Sequence, residues 1–217
     1  LGVSGTNGIC AATPVLALGA RAEGGATLAI ASIEQLAVWR LSAATPLAPC
    51  GAAVATTLPP RAPPPRVAGL GRSARRLALC CGSECLVYTL APSSDASPVL
   101  ANRLAVALSS QLSACCFGGV ADGSDLLLCA ADDRSYAVWH VGREGDDDGG
   151  AQMLAGGALA PSQAPLVSVA LDARARGGCA VLADAEGRLS VLELSPHGDG
   201  NGARLTDTLH LHRLVHR

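Results

Sequence analysis

Three cysteines close together in the sequence are the first residues whose type and spacing could support chemistry. The stretch Cys80-Cys81-x-x-x-Cys85 brings thiols near enough to suggest a metal site. A zinc site also needs further Cys or His ligands at a matching spacing, and no such second pair accompanies this stretch in the sequence. Cys80 ends an apolar run, where a free thiol acts as a small hydrophobic side chain. We therefore interpret these cysteines as core residues and expect no metal site.

Two polar stretches raise the same question. His210-x-His212 would place two imidazoles on one face of a strand, but an exposed outer strand or a chain terminus is the favoured interpretation. Asp146-Asp147-Asp148 lacks the alternating ligand spacing and the closing Glu of a calcium loop, which favours a solvated loop. The sequence contains no Gly-x-Ser-x-Gly elbow and no Cys in a recognisable His-paired setting. We therefore expect no catalytic residue, no cofactor and no enzyme activity.

Charged residues in short turns are the remaining candidates, and their chemistry is that of binding. A local arginine patch suits phosphate or an acidic partner, although solubilising turn charge is the favoured explanation. We expect these arginines on one edge of the fold and the Asp-bearing turns on the opposite edge. The candidate partner-binding residues are Arg72, Arg75, Arg76, Arg174 and Arg176 on the first edge, and Asp132, Asp133, Arg134 and Asp184 on the second.

A recurring pattern of strands must position these side chains. Its clearest copy covers residues 125–141, in which an apolar run, the turn Asp132-Asp133 and an alternating run ending in Val138-Trp139 follow one another. This pattern predicts a β-hairpin. The equivalent valines recur at intervals of 49, 51 and 53 residues, and they are Val38, Val87, Val138 and Val191. Self-similarity at a nearly fixed period indicates a repeat architecture.

Each repeat contains enough apolar segments for four strands. An apolar segment precedes each hairpin, and weaker segments at 53–58, 103–108, 152–155 and 204–211 could supply the outer strands. Strands buried on both faces read as continuous apolar runs, whereas half-exposed strands alternate. We predict an all-β fold in which 1–217 is a single region, with repeats at about 12–58, 64–108, 110–156 and 164–211.

The four repeats resemble WD40 repeats, in which two apolar strands, an Asp-bearing turn and a strand closing on Trp-Asp follow one another. Val38-Trp39 and Val138-Trp139 match the closing strand, with Arg40 and His140 where the family prefers Asp. Asp132 and Asp184 match the turn Asp, while Glu34 and Glu84 stand there in the other two repeats. The Gly-His pair of many family blades is missing, so the repeats are degenerate. The resemblance implies a WD40-like β-propeller of about four four-stranded blades.

The number of repeats is small for a closed ring. Propellers of this family typically close with about seven blades. We therefore expect a partial propeller, a fragment of a larger ring, rather than an unusually small closed one. We expect the segment 204–211 to begin a fifth blade that is not completed, and this favours a fragment of a larger ring.

Repeats without a catalytic constellation favour a scaffold or adaptor that binds protein partners within a complex, although fold alone does not decide function. A narrower alternative is the WD-repeat non-catalytic subunit of tRNA guanine-N7 methyltransferase, to which three segments are similar: 82–90, 130–139 and 183–187. RNA is an expected partner under that alternative alone. A hydrolase built on a propeller needs polar side chains converging from inner strands, and the predicted inner strands are nearly all apolar.

Composition sets the broad limits. The 217 residues are 49% hydrophobic, which is ample for a buried core. The formal net charge of −2 gives no global reason to bind nucleic acid or an anionic membrane. No apolar run reaches the length of about 18 residues that a membrane span needs. Most of the nine cysteines lie within apolar runs, which indicates free thiols and a reducing compartment, the cytoplasm or the nucleus.

Overall fold

In the computed structural model, all the regular secondary structure of the described residues is β-strand. The structure describes residues 14–20, 25–41, 54–60, 62–71, 74–90, 97–105, 110–119, 124–143, 151–160, 164–174, 177–194 and 203–210. Within these ranges no helix is long and apolar enough to cross a membrane.

Sixteen strands form four antiparallel sheets of four strands each, and each sheet uses consecutive strands of the chain. The first strand of each sheet is at one side and the fourth at the other. The strands are β1 (Val15–Ala20), β2 (Ala26–Ala31), β3 (Gln35–Leu41) and β4 (Val54–Thr57) in the first sheet; β5 (Pro65–Leu70), β6 (Arg76–Cys81), β7 (Glu84–Thr89) and β8 (Val99–Ala105) in the second; β9 (Leu112–Gly119), β10 (Ser124–Ala131), β11 (Ser135–Arg143) and β12 (Gln152–Ala158) in the third; and β13 (Leu166–Arg174), β14 (Gly177–Asp184), β15 (Arg188–Leu194) and β16 (Ala203–His210) in the fourth.

The sheets stack face to face in the order of the chain. Contacts join the first strands of successive sheets, β1 with β5, β5 with β9 and β9 with β13. Three separate hydrophobic cores lie between the first and second, the second and third, and the third and fourth sheets. Because side chains alternate along a strand, each middle sheet supplies one face to the core before it and the other face to the core after it. This explains why β6 is buried along its whole length.

The turns between second and third strands are tight, and their residues show why. Gly82 in the β6–β7 turn adopts φ 63°, a left-handed conformation that glycine reaches without steric cost. Gly187 has φ 79° in the β14–β15 turn, and Arg134 has φ 71° at the equivalent place in the β10–β11 turn. Asp133 supports that turn by accepting a hydrogen bond from the Ser135 backbone N–H at 3.0 Å.

The all-β prediction of four four-stranded sheets is confirmed, and β16 pairs with β15 as the outer strand that 204–211 was predicted to supply. The additional expectation that this segment begins a fifth blade is wrong, because the strand completes the fourth sheet. The outer strand of the second sheet is β8, which starts earlier than the apolar pattern at 103–108 suggested. Arg103 on this strand is opposite Leu86 in the register, and its guanidinium pairs with Glu84 of β7 at 2.7 Å.

Candidate functional site

The candidate partner-binding surface is the edge formed by the turns that join the second and third strands of each sheet. We call this the turn edge; it comprises the turn residues 32–34, 82–83, 132–134 and 185–187 and, beside them, Arg66 and Gln111 at the starts of first strands. Neighbouring sheets are linked along it, since the Leu112 N–H donates to the Gly82 carbonyl at 2.8 Å across the second and third sheets. The opposite ends of the same strands form the other edge. Arg76 begins β6 there, a whole strand away from Gly82.

A charged cluster on the turn edge bridges the second and third sheets. Arg66 Nη1 donates to Asp132 Oδ2 at 3.1 Å and to Gln111 Oε1 at 2.5 Å. The side chains of Arg66 and Asp132 are 49% and 42% exposed. An ion pair this exposed contributes little to stability, so its groups can exchange partners at small cost. Sequence reasoning selected Asp132 but missed Arg66 and Gln111, which come from the start of inner strands.

Asp133 and Arg134 complete the same turn. Burial opposes ionisation of Asp133, but hydrogen bonds from the Ser135 hydroxyl and backbone N–H hold its pKa below the ordinary value. The Arg134 carbonyl accepts from the Leu159 N–H at 3.1 Å, which ties the turn to the end of β12. Both residues therefore lie on the turn edge, as expected from their place between two strands.

Asp184 is different from the other turn acids. It is buried, and its Oδ1 accepts from the backbone N–H groups of Glu186 at 2.9 Å and Arg188 at 2.8 Å. Its carboxylate therefore organises the β14–β15 turn. A direct contact with a partner, which the sequence suggested, does not fit this burial.

The arginines predicted on the opposite edge are not equivalent to one another. Arg76 is only 7% exposed, and its Nη1 donates to the Val141 and Gly142 carbonyls at 2.7 and 2.8 Å. Its guanidinium also lies 3.9 Å from the Asp125 carboxylate. The expectation of a surface role for Arg76 is therefore corrected, because the side chain joins the second sheet to the third.

Of the other four arginines predicted on that edge, two lie among the described residues. The backbone carbonyl of Arg75 accepts from the Leu90 N–H at 2.7 Å, and Arg174 ends β13. Arg72 and Arg176 lie outside the described residues, as do His212 and Asp146, Asp147 and Asp148 of the other sequence candidates.

The second sheet and the third also bring cysteines together in the core between them. The Sγ atoms of Cys80, Cys85 and Cys129 all lie within 4.8 Å of one another, and all three residues are buried. Sequence spacing could not find this cluster, since Cys129 comes from another repeat. One sequence feature does point to it: Cys115 and Cys129 lie in apolar runs, as Cys80 does, which indicates that all three thiols are buried in the core.

These thiols are hydrogen-bonded to one another, so each changes the pKa of its neighbours. Hydrogen bonds from the Cys80 and Cys85 thiols lower the pKa of Cys129 to about 6. The hydrogen bonds to Cys129 and Cys80, together with burial, raise the pKa of Cys85 well above its ordinary value. By contrast, burial raises the pKa of Cys81 and that of Cys116 to about 12, on the opposite faces of the same two sheets.

Comparison with known proteins identifies the architecture. No protein-family model and no curated protein sequence matches the chain. Solved structures do match: Hsv2 of Kluyveromyces lactis superposes with a TM-score of 0.64 at 15% identity, covering 90% of this chain and 61% of that one. The fold is that of a partial β-propeller. Each sheet is thus one blade.

Two further structures agree. The complex of KlAtg21 with the coiled-coil of AgAtg16 matches with a TM-score of 0.63 at 12% identity, covering 91% of this chain and 57% of that one. A protein from Lactobacillus plantarum matches with a TM-score of 0.59 at 12% identity, covering 90% and 55%. Identities this low establish the fold alone. The chain spans less than two thirds of the length of each of these structures.

Proposed function

We propose that the chain is a non-catalytic, WD40-like scaffold that binds a protein partner through the turn edge. The observation that carries the proposal is the exposed cluster of Arg66, Gln111 and Asp132, which presents both signs of charge and an amide across two blades. Charged groups on an exposed rim favour specificity and the rate of encounter more than affinity. Apolar side chains alongside them would have to supply most of the binding energy.

The distribution of polar side chains supports a non-catalytic role. A catalytic site in a propeller would need titratable side chains that converge from the inner strands. Among the described residues, the buried polar or charged side chains lie on second or third strands, and none lies on β1, β5, β9 or β13. Free cysteines at seven described positions also fit the reducing cytoplasm or nucleus that we propose as the location.

One of the similar structures supports a proposal about the type of partner. KlAtg21 is solved with a coiled-coil segment of AgAtg16, so a propeller of this shape can receive a helical partner. We propose a helical protein segment as the partner of this chain too. Alternating acidic and basic side chains on such a helix would complement the Arg66–Asp132 pair.

Charge reversal on the turn edge tests the proposal. The variants Arg66→Glu and Asp132→Arg should lose the proteins that co-purify with the tagged chain, compared by quantitative mass spectrometry. The control Glu193→Arg changes an exposed charge near the end of β15 that lies away from the turn edge, and should keep them. The proposal fails if the variants and the control retain the same proteins in the same amounts.

The tRNA methyltransferase alternative stays a prediction, and the same purification addresses it. A methyltransferase subunit and tRNA recovered together with the chain would favour that alternative over a general scaffold. A screen for hydrolase activity that was positive, and was lost on changing Asp132, would instead contradict a non-catalytic role.

A further inference from the structure

Two cross-strand pairs of cysteines meet in the core between the second and third blades. Cys80 of β6 is directly opposite Cys85 of β7 in the strand register. Cys129 of β10 is directly opposite Cys115 of β9. Directly opposed side chains in antiparallel strands have Cβ atoms about 4.5–5.5 Å apart, so each pair already holds its two thiols close together. Because the blades stack face to face, the two pairs converge.

The thiols are close enough to share one ion. The Sγ atoms of Cys80, Cys85 and Cys129 lie within 4.8 Å of one another, and each residue is 0% exposed. The Cys115 thiol lies beside Cys80 as a hydrogen-bonding partner. Gly69 leaves space for it, since a Cβ atom at that position would stand 3.3 Å from the Cys115 sulfur.

Packing alone does not require cysteine at these positions. The strand registers identify the equivalent four positions in the cores on either side, and no residue at those positions is a cysteine. Aliphatic or aromatic side chains occupy these equivalent positions in both cores. The equivalent residues are Ala31, Leu36, Ala68 and Leu79 between the first and second blades, and Ala130, Tyr136, Val169 and Leu182 between the third and fourth.

We propose that Cys80, Cys85 and Cys129 bind a Zn²⁺ ion, with Cys115 as the fourth ligand. Zn–S bonds of about 2.3 Å in tetrahedral geometry place sulfurs about 3.8 Å apart, which small side-chain rotations of Cys80, Cys85 and Cys129 reach from separations within 4.8 Å. Each thiol that binds the metal releases its proton to solvent. The four thiolates carry four negative charges, so the zinc complex has a smaller net negative charge than the same ligands would leave around a monovalent ion such as Cu⁺. That favours zinc in an apolar core.

The site would join two blades that otherwise meet through apolar contacts alone at this point. Such an ion enters as the chain folds and exchanges only when the blades separate, because the cluster is closed to solvent. The role is structural, and it does not depend on the turn edge or on the proposed partner.

The test measures zinc bound to the full chain after refolding with Zn²⁺ and removal of free metal. The wild-type chain should retain one zinc per chain, and Co²⁺ in its place should give the intense visible absorption of tetrahedral thiolate coordination. Cys129→Ala and Cys85→Ala should each lower the retained zinc at least about tenfold. Alanine avoids burying a new hydroxyl, and circular dichroism establishes that each variant is folded.

Matched controls lie one residue away in the sequence. Cys81→Ala and Cys116→Ala remove thiols that face the neighbouring cores, and both variants should keep zinc as the wild type does. Retention by the controls and loss by the two ligand variants would support the site. A wild-type chain that retains no zinc, or retains copper in its place, would overturn the proposal. So would a Cys80–Cys85 disulfide in the chain purified from a reducing compartment, or equal zinc in folded Cys129→Ala.

Discussion

The first and third blades each carry a row of three large apolar side chains in register across neighbouring strands. The row of the third blade is covered by another blade, whereas the row of the first blade is not covered by any described residue. In the first blade Leu18, Leu28 and Trp39 lie side by side across three strands. Phe117, Leu127 and Trp139 form the equivalent row in the third blade. Leu127 is 0% exposed, because the row packs against the second blade.

The corresponding face of the first blade has no such cover among the described residues. Leu16 and Leu18 are 59% and 67% exposed. The difference shows that the repeat pattern determines which side chains share a face, whereas a neighbouring blade determines whether that face is buried. Burying apolar surface stabilises a fold by about 25 cal/mol per Å², so the two rows contribute very different amounts for similar chemistry.

The largest expected effect comes from truncating a leucine in each face. Leu127→Ala should lower the free energy of unfolding by roughly 2–5 kcal/mol, because it removes buried methyl groups and leaves a cavity. Leu18→Ala should change it by less than about 0.5 kcal/mol, since most of that side chain is already in water. Urea denaturation of the two variants measures both values. Equal losses would mean that the two faces are equally covered.

Two arginines allow the same comparison, because Arg76 is buried and Arg66 is exposed. Arg76→Met should cost roughly 1.5–3 kcal/mol, because the Val141 and Gly142 carbonyls lose a charged donor inside the stack. Arg66→Met, on the turn edge, should cost no more than about 1 kcal/mol, as is usual for an exposed ion pair. The thermal midpoints of the two variants would rank them. A larger loss from Arg66→Met would contradict the placement of Arg76 in the interior.

A smaller effect distinguishes the β10–β11 and β14–β15 turns. Gly187→Ala should destabilise the chain by about 1–2 kcal/mol, because it places a side chain at a positive φ. Arg134 already bears that penalty at the equivalent place, so Arg134→Ala should cost clearly less. Denaturation curves of the two alanine variants give the difference. Indistinguishable curves would show that the two turns do not share one conformation.

The smallest effect concerns pH. The pKa of Asp133 is lowered in the folded chain, so its contribution to stability is present above its unfolded pKa and is lost as pH falls through the folded value. The group is partly solvated, so we expect only a few tenths of a kcal/mol. Asp133→Asn should therefore reduce the loss of stability between neutral and acidic pH, measured by urea denaturation at several pH values. A pH profile identical to that of the wild-type chain would remove this role for Asp133.

The sequence was sufficient to predict the blades because each blade is specified locally. Val38, Val87, Val138 and Val191 all lie on third strands, as their spacing indicated. Alternating apolar residues and short polar turns determine a hairpin without help from distant parts of the chain. The start of the outer strand β8 was misplaced because the polar residues Asn102 and Arg103 interrupt its apolar residues and obscure the pattern.

Features made between blades could not be predicted in this way. Arg76 looked like a turn charge, and its burial depends on carbonyl groups of β11, 65 residues further along the chain. The cysteine cluster combines Cys80 and Cys85 of one repeat with Cys129 of the next, so the pattern within a single repeat does not reveal it. Arg66 and Gln111 stand at strand starts, where a polar residue carries no distinctive pattern. Each of these contacts depends on how one blade is rotated against the next, and hydrophobic periodicity does not encode that rotation.

Hydroxyl-radical footprinting with mass spectrometry tests the central claim most directly, since it measures the exposure of individual leucines in solution. If each blade packs its row onto the blade before it, Leu16 and Leu18 should be oxidised readily, while Leu77, Leu79 and Leu127 should be protected until the chain unfolds. Equal oxidation of both groups in the folded chain would contradict the stacked blades.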